Sequence, residues 1–118
     1  MTRALALALA LVAASAGWAE AVSRGNGAVL RVLDKLTGDV RDVELANGTG
    51  APIGRLQLEL GECRYPEGNP SGDAYAFVTV RDEVSAPVFS GWMIASSPAL
   101  NALDHPRYDV WVIRCKTS

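Results

Sequence analysis

Leu56-Gln57-Leu58-Glu59-Leu60 alternates apolar and polar side chains at every step. A period of two puts the three leucines on one face of an extended chain and Gln57 and Glu59 on the other. This is the pattern of a strand with one face in a core and one in water. Gly61 interrupts the alternation just before Cys63, which shifts the phase and predicts a bulge or bend.

The same reading extends outward in both directions. Upstream, residues 28–33 are β-branched and mostly apolar, and residues 34–38 supply a turn. In residues 40–46, Arg41, Val43 and Leu45 share one face while Asp42 and Glu44 share the other. Residues 47–50 read as a loop. Downstream, the Pro- and Gly-rich residues 66–73 form the strongest loop signal. Residues 75–80 are aromatic and β-branched and predict a strand. Residues 88–95 carry apolar side chains on both faces, which predicts a central strand. Ser96-Ser97-Pro98 fits a helix start, and residues 99–103 supply one or two turns, ended by Asp104-His105-Pro106. Residues 108–115 make the last strand, with Trp111, Ile113 and Cys115 on one face as core residues. The expected fold is all-β. It is a single compact sandwich or partly open barrel of about six to eight strands, with one short helix before the last strand.

The beginning of the chain predicts its destination. Residues 4–14 are an unbroken run of Ala, Leu and Val behind Arg3. That length suits a signal-peptide apolar region and is too short for a stable bilayer-spanning helix. Ala19-Glu20-Ala21 fits the small-x-small processing rule, with cleavage after Ala21; cleavage after Ala19, with Gly17 at the third position back, is the alternative. No Cys follows either site, which argues against a lipid anchor. Residues 1–21 therefore read as a signal peptide, 22–27 as a short flexible lead-in, and 28–118 as one all-β domain in the periplasm.

Removal of that segment leaves roughly 97 residues, enough for one domain. The formal net charge of −2 argues against a nucleic-acid footprint, and no later apolar run reaches membrane-spanning length. Cys63 and Cys115 are the only cysteines. In an oxidising compartment an even count most simply pairs, and two free buried thiols are the alternative. A redox role lacks the C-x-x-C spacing.

The C-terminal third runs Phe89-Ser-Gly-Trp-Met-Ile-Ala-Ser-Ser-Pro98, then His105-Pro-Arg-Tyr-Asp-Val-Trp-Val112, then Cys115. It resembles the signature of DUF2155, a family of small exported bacterial proteins. Leu30 to Val40 is similar to that family's opening L-D-K-x-T motif, and Cys63 stands where its first cysteine is expected. Ile94 departs from the expected Phe. The resemblance covers nearly the whole mature chain and implies no particular activity.

The residues offer little catalytic machinery. Ser96, Ser97, Asp104, His105 and Asp109 contain the parts of a nucleophile, base and carboxylate set, but the G-x-S-x-G turn is absent. Capping and strand-opening roles explain the same residues. His105 is the only histidine, too few for a zinc site, and the calcium-loop spacing is missing around Asp34 to Asp42. No cofactor or metal is expected. Trp92 and Tyr108 have the composition of an interface anchor.

The expected function is that of a non-enzymatic binding or assembly module contacting another envelope protein. The candidate surface is Ser90, Trp92, Ser96, Ser97, Pro98, His105, Tyr108 and Asp109. The alternatives are a small hydrolase using Ser96 or Ser97 with His105, and a small-ligand carrier. Mass spectrometry of the protein from its native host is expected to find an N-terminus at Val22 or Glu20. A full-length form retaining Met1 would contradict export by this route.

Overall fold

A computed structural model describes residues 21–83 and 86–117. Of the predicted signal peptide only Ala21 falls among them. Eight strands form two antiparallel sheets: β1 (Val22–Arg24), β2 (Gly27–Asp34), β3 (Val40–Ala46), β4 (Thr49–Ile53), β5 (Leu56–Pro66), β6 (Tyr75–Arg81), β7 (Pro87–Ile94) and β8 (Tyr108–Lys116). The larger sheet runs β1-β5-β6-β7 with β4 also on β5, and the smaller runs β3-β2-β8. The result is a sandwich.

β5 organises the larger sheet. Leu56, Leu58 and Leu60 are buried, as the alternation requires. Leu60 pairs with Val78 but Cys63 pairs with Ala76, so β5 carries one extra residue at Gly61 and Glu62. This bulge turns Cys63 inward. Two short strands share the remaining flank of β5: β4 along Leu56 to Leu60, and β1 along Arg64 to Pro66.

β8 uses the same device. Leu30 pairs with Val112 and Val29 with Arg114, leaving Ile113 as the extra residue. Cys115 is thereby brought into phase with Val110 and Val112, all three buried. The expected common face of Trp111, Ile113 and Cys115 is therefore divided. Trp111 and Ile113 are only partly buried and face out, and Cys115 faces in.

Cys63 and Cys115 form a disulfide with their Cα atoms 5.6 Å apart. Stacked sheets normally sit about 10 Å apart, so the bridge pinches the sandwich at one end. The chain crosses from β1 to β2 directly over it. Gly25 donates its amide to the Cys63 carbonyl, and Asn26 donates to that of Lys116. A Cβ on Gly25 would meet the Lys116 carbonyl at 2.7 Å, so this crossing accepts only glycine without a backbone shift.

Four further expectations need correction. The lead-in contributes β1, because Val22 to Arg24 find the free flank of β5. The loop expected at residues 47–50 shrinks to an Asn47-Gly48 turn, and β4 follows despite Gly50 and Pro52, since an edge strand tolerates both. The predicted central strand is the edge strand β7. Its second apolar face serves to lay Trp92 over Phe77. No helix forms at residues 96–103 or elsewhere among the described residues, where only single turns close between Ile94 and Ser97 and between Ser97 and Leu100. So short a segment cannot offset helix nucleation. It is instead held as a run of turns, anchored by buried Leu103 and by the Asn101 amide on the Trp92 carbonyl.

The Cys63→Ala, Cys115→Ala double variant is expected to lose about 4 kcal/mol of unfolding free energy from released loop entropy. Urea titration of the oxidised and double-variant proteins measures the difference.

Candidate functional site

The open end of the sandwich lies opposite the disulfide, where β8 begins and the β2–β3 hairpin turns. Asp34 builds that hairpin from its own side chain. Its Oδ1 accepts the amides of Leu36 (3.0 Å) and Thr37 (3.4 Å), while its carbonyl accepts that of Gly38 (2.7 Å). Such Asx turns explain why an Asp opens this connection. The same carboxylate accepts Arg107 Nε (3.1 Å) and Nη2 (2.9 Å). Lys35 adds a second clasp: its amide donates to the Arg107 carbonyl (2.7 Å) and its Nζ to the His105 carbonyl (2.8 Å). Lys35 Nζ also lies 3.5 Å from Asp109. The Leu-Asp-Lys segment and the His-Pro-Arg-Tyr segment, far apart in the chain, therefore form one structure.

Arg107 holds the Asp34 carboxyl down to about 2, with the Leu36 and Thr37 amides reinforcing it against partial burial. The guanidinium lies over the Tyr108 ring at 5.2 Å. Tyr108 is 3% exposed and belongs to the core, so its expected role as exposed contact area is overturned. Its hydroxyl accepts the Arg55 amide at 3.3 Å. Gly54, at φ +56°, leaves the space this hydroxyl needs, since a Cβ there would meet it at 2.5 Å.

His105 Nδ1 accepts the amides of Arg107 (3.0 Å) and Tyr108 (3.3 Å). This defines the tautomer with its proton on Nε2 and makes the imidazole a turn-forming group. Ser96 is engaged elsewhere. Its amide donates to Asp73 Oδ1 (2.9 Å) and its hydroxyl to Oδ2 (2.6 Å). Burial works against the charged form of Asp73, but these bonds and the Ala74 amide outweigh it and hold the carboxyl below its usual range. Ser97 accepts the Leu100 amide in a turn. Neither serine is paired with His105, as the hydrolase arrangement requires. Among the described residues no group of three or more His, Cys, Asp or Glu converges as a metal site.

Two of the remaining candidates, Ser90 and Trp92, lie on the outer face of the larger sheet. Trp92 is 37% exposed on β7. Its ring meets Phe77 edge-to-face at 5.4 Å, and the Arg64 guanidinium stacks over it at 5.1 Å. Glu62 pairs with both Arg64 and Arg24 beside it. Ser90, two residues back, shares a hydroxyl contact of 3.1 Å with Thr79. Pro98 lies in a separate shallow groove against Trp111. The expected surface is thus divided three ways: Ser90 with Trp92, Pro98 with Trp111, and His105 with Tyr108 and Asp109. Ser96 and Ser97 belong to the turn between the first two.

Sequence reasoning missed Asp34, Lys35, Arg64, Asp73 and Arg107 as parts of these clusters. The Asp34 turn leaves a local signal in its Thr-Gly ending. The partners of Asp34 and Asp73 stand 73 and 23 positions away with no local mark.

The match to the family described as "uncharacterized protein conserved in bacteria (DUF2155)" covers residues 28–115, and the chain belongs to that family. An uncharacterized protein of Rickettsia prowazekii (strain Madrid E) is 28% identical over 94 residues, covering 76% of this chain and 60% of that relative. The chain therefore spans three fifths of the relative it matches. No solved structure matches it.

A carboxyl depressed on folding stabilises the fold above its unfolded value near 4, and that contribution disappears as pH falls through about 2. Asp34→Asn is expected to be less stable at neutral pH and to lack this acid-sensitive component. Urea midpoints for both proteins from pH 7 to pH 2 check the sign.

Proposed function

We propose that the chain is an exported, non-enzymatic binding module that contacts another envelope protein through the outer face of its larger sheet. The observation that carries this reading is Trp92. A core role would cover the ring on both sides, yet it stands exposed on an edge strand, propped by Phe77 and Arg64. Trp and Arg are the residue types most enriched where interfaces concentrate their energy, and a ring immobilised beforehand loses little entropy on binding. The signal-like residues 1–21 support export. The engagement of Ser96 with Asp73, and of His105 with backbone amides, weighs against the hydrolase alternative.

A photoreactive residue at Ser90, beside Trp92, is expected to yield one discrete protein adduct in the native host's envelope. Glu44, on the smaller sheet, serves as the control position. Trp92→Ala should abolish the adduct while costing about 1 kcal/mol of stability, the scale of one aromatic pair. A Ser90 pattern that matches the Glu44 control, or survives Trp92→Ala, would overturn the proposal.

A further inference from the structure

The disulfide closes one end of the sandwich, and the other end is left with a cleft of about 470 Å³ where β3 and β4 diverge. That volume lies within the range of small-molecule sites. Its lining is mixed, with Val32, Ile53 and the Tyr108 ring as apolar groups among a majority of polar surface. Asp34 and Arg107 also line it, but each neutralises the other. Two further charges stand at the mouth, Asp39 and Arg41, and neither makes an ion pair with any described residue.

The placement of Arg41 is unusual. Val43 and Leu45 share its face of β3 and point toward the opposite sheet. Its cross-strand neighbour is Val32, which is buried in the core. Arg41 thus sits at a core-facing position of the strand, at the point where the core opens into the cleft. The third polar group is the Tyr108 hydroxyl. It accepts the Arg55 amide and keeps its own proton available, on a side chain otherwise inside the core.

The geometry points to a site for a small zwitterion with an aliphatic body, chemically an apolar α-amino acid. Arg41 and the Tyr108 hydroxyl supply donors for a carboxylate, and Asp39 an acceptor for an ammonium. Val32 and Ile53 supply a surface for a branched side chain. The charges at the mouth sum to zero once Asp34 and Arg107 are paired, which matches a zwitterion better than a simple anion or cation. This inference is independent of the Trp92 surface, which lies outside the cleft on the outer face of the larger sheet.

Isothermal titration of the mature, oxidised protein tests it, with L-leucine as the probe and leucinamide and 4-methylpentanoate as analogues lacking one charge each. Leucine is expected to bind at one site, with each analogue at least tenfold weaker. Arg41→Gln and Asp39→Asn, both at exposed positions, should weaken leucine at least tenfold while leaving the urea midpoint unchanged. Trp92→Ala should leave the titration unaltered. No heat with leucine would overturn the assignment. So would binding that survives both charge variants, or an analogue as tight as leucine.

Discussion

The structure depends on a covalent contact between two bulged strands in opposite sheets. β5 and β8 each carry one extra residue just before their cysteine, and without that phase shift the two side chains would not both face the interior. The Cys63–Cys115 bridge then holds the sheets closer than side-chain packing alone would. The backbone around it is fitted to that approach. Gly25 passes between Cys63 and Lys116 where no side chain fits, and Asn47 donates its amide to the Gly25 carbonyl at 2.9 Å. For a domain of this size, whose core is assembled from a few rows of Leu, Val and Ala, such a constraint on the unfolded chain is a large share of the marginal stability that a native fold retains.

Closing one end defines the character of the other. Sheets that are pinched at the bridge diverge toward the start of β8, where Tyr108 seals the core beneath the cleft and Gly54 leaves room for its hydroxyl. The Asp34–Arg107 pair and the Lys35 contacts lock the β2–β3 hairpin to the segment entering β8. Here partly buried groups make several bonds each, so the clasp orders two loops at once. An exposed ion pair such as Arg55–Glu83 orders neither and contributes little.

The connection between β7 and β8 is long because it fastens the edge of one sheet to the beginning of the other. Ser96 binds Asp73 in the preceding loop, Asn101 binds the Trp92 carbonyl, Leu103 enters the core, and His105 organises the turn into β8. The Asn101 contact also covers part of the β7 edge, whose unpaired backbone groups would otherwise invite further strands. A segment with so many anchors holds the Trp92 face and the open end in a fixed relation, although its residues do not form one continuous surface.

Several features were legible in the chain before any tertiary contact. The alternation of Leu56, Leu58 and Leu60, the interruption at Gly61, the loop at residues 66–73 and the even cysteine count all report local physics: the two-residue strand period, the conformational range of glycine and proline, and thiol chemistry. All-β character and the pairing of Cys63 with Cys115 followed from them. The bulge at Ile113, the edge position of β7 and the burial of Tyr108 did not. Each depends on which strand lies alongside, and the apolar pattern of β7 reads the same whether its second face meets another layer or only Phe77. The sites were the least legible. Arg107 meets Asp34, and Ser96 meets Asp73, only after the sheets have formed, because ion pairs and hydrogen bonds between distant residues leave no periodicity in a sequence. Local residue chemistry determined the main strands and the cysteine count behind the bridge, and the packing of two sheets decided the short strands β1 and β4 and which side chains came together at the ends and on the faces.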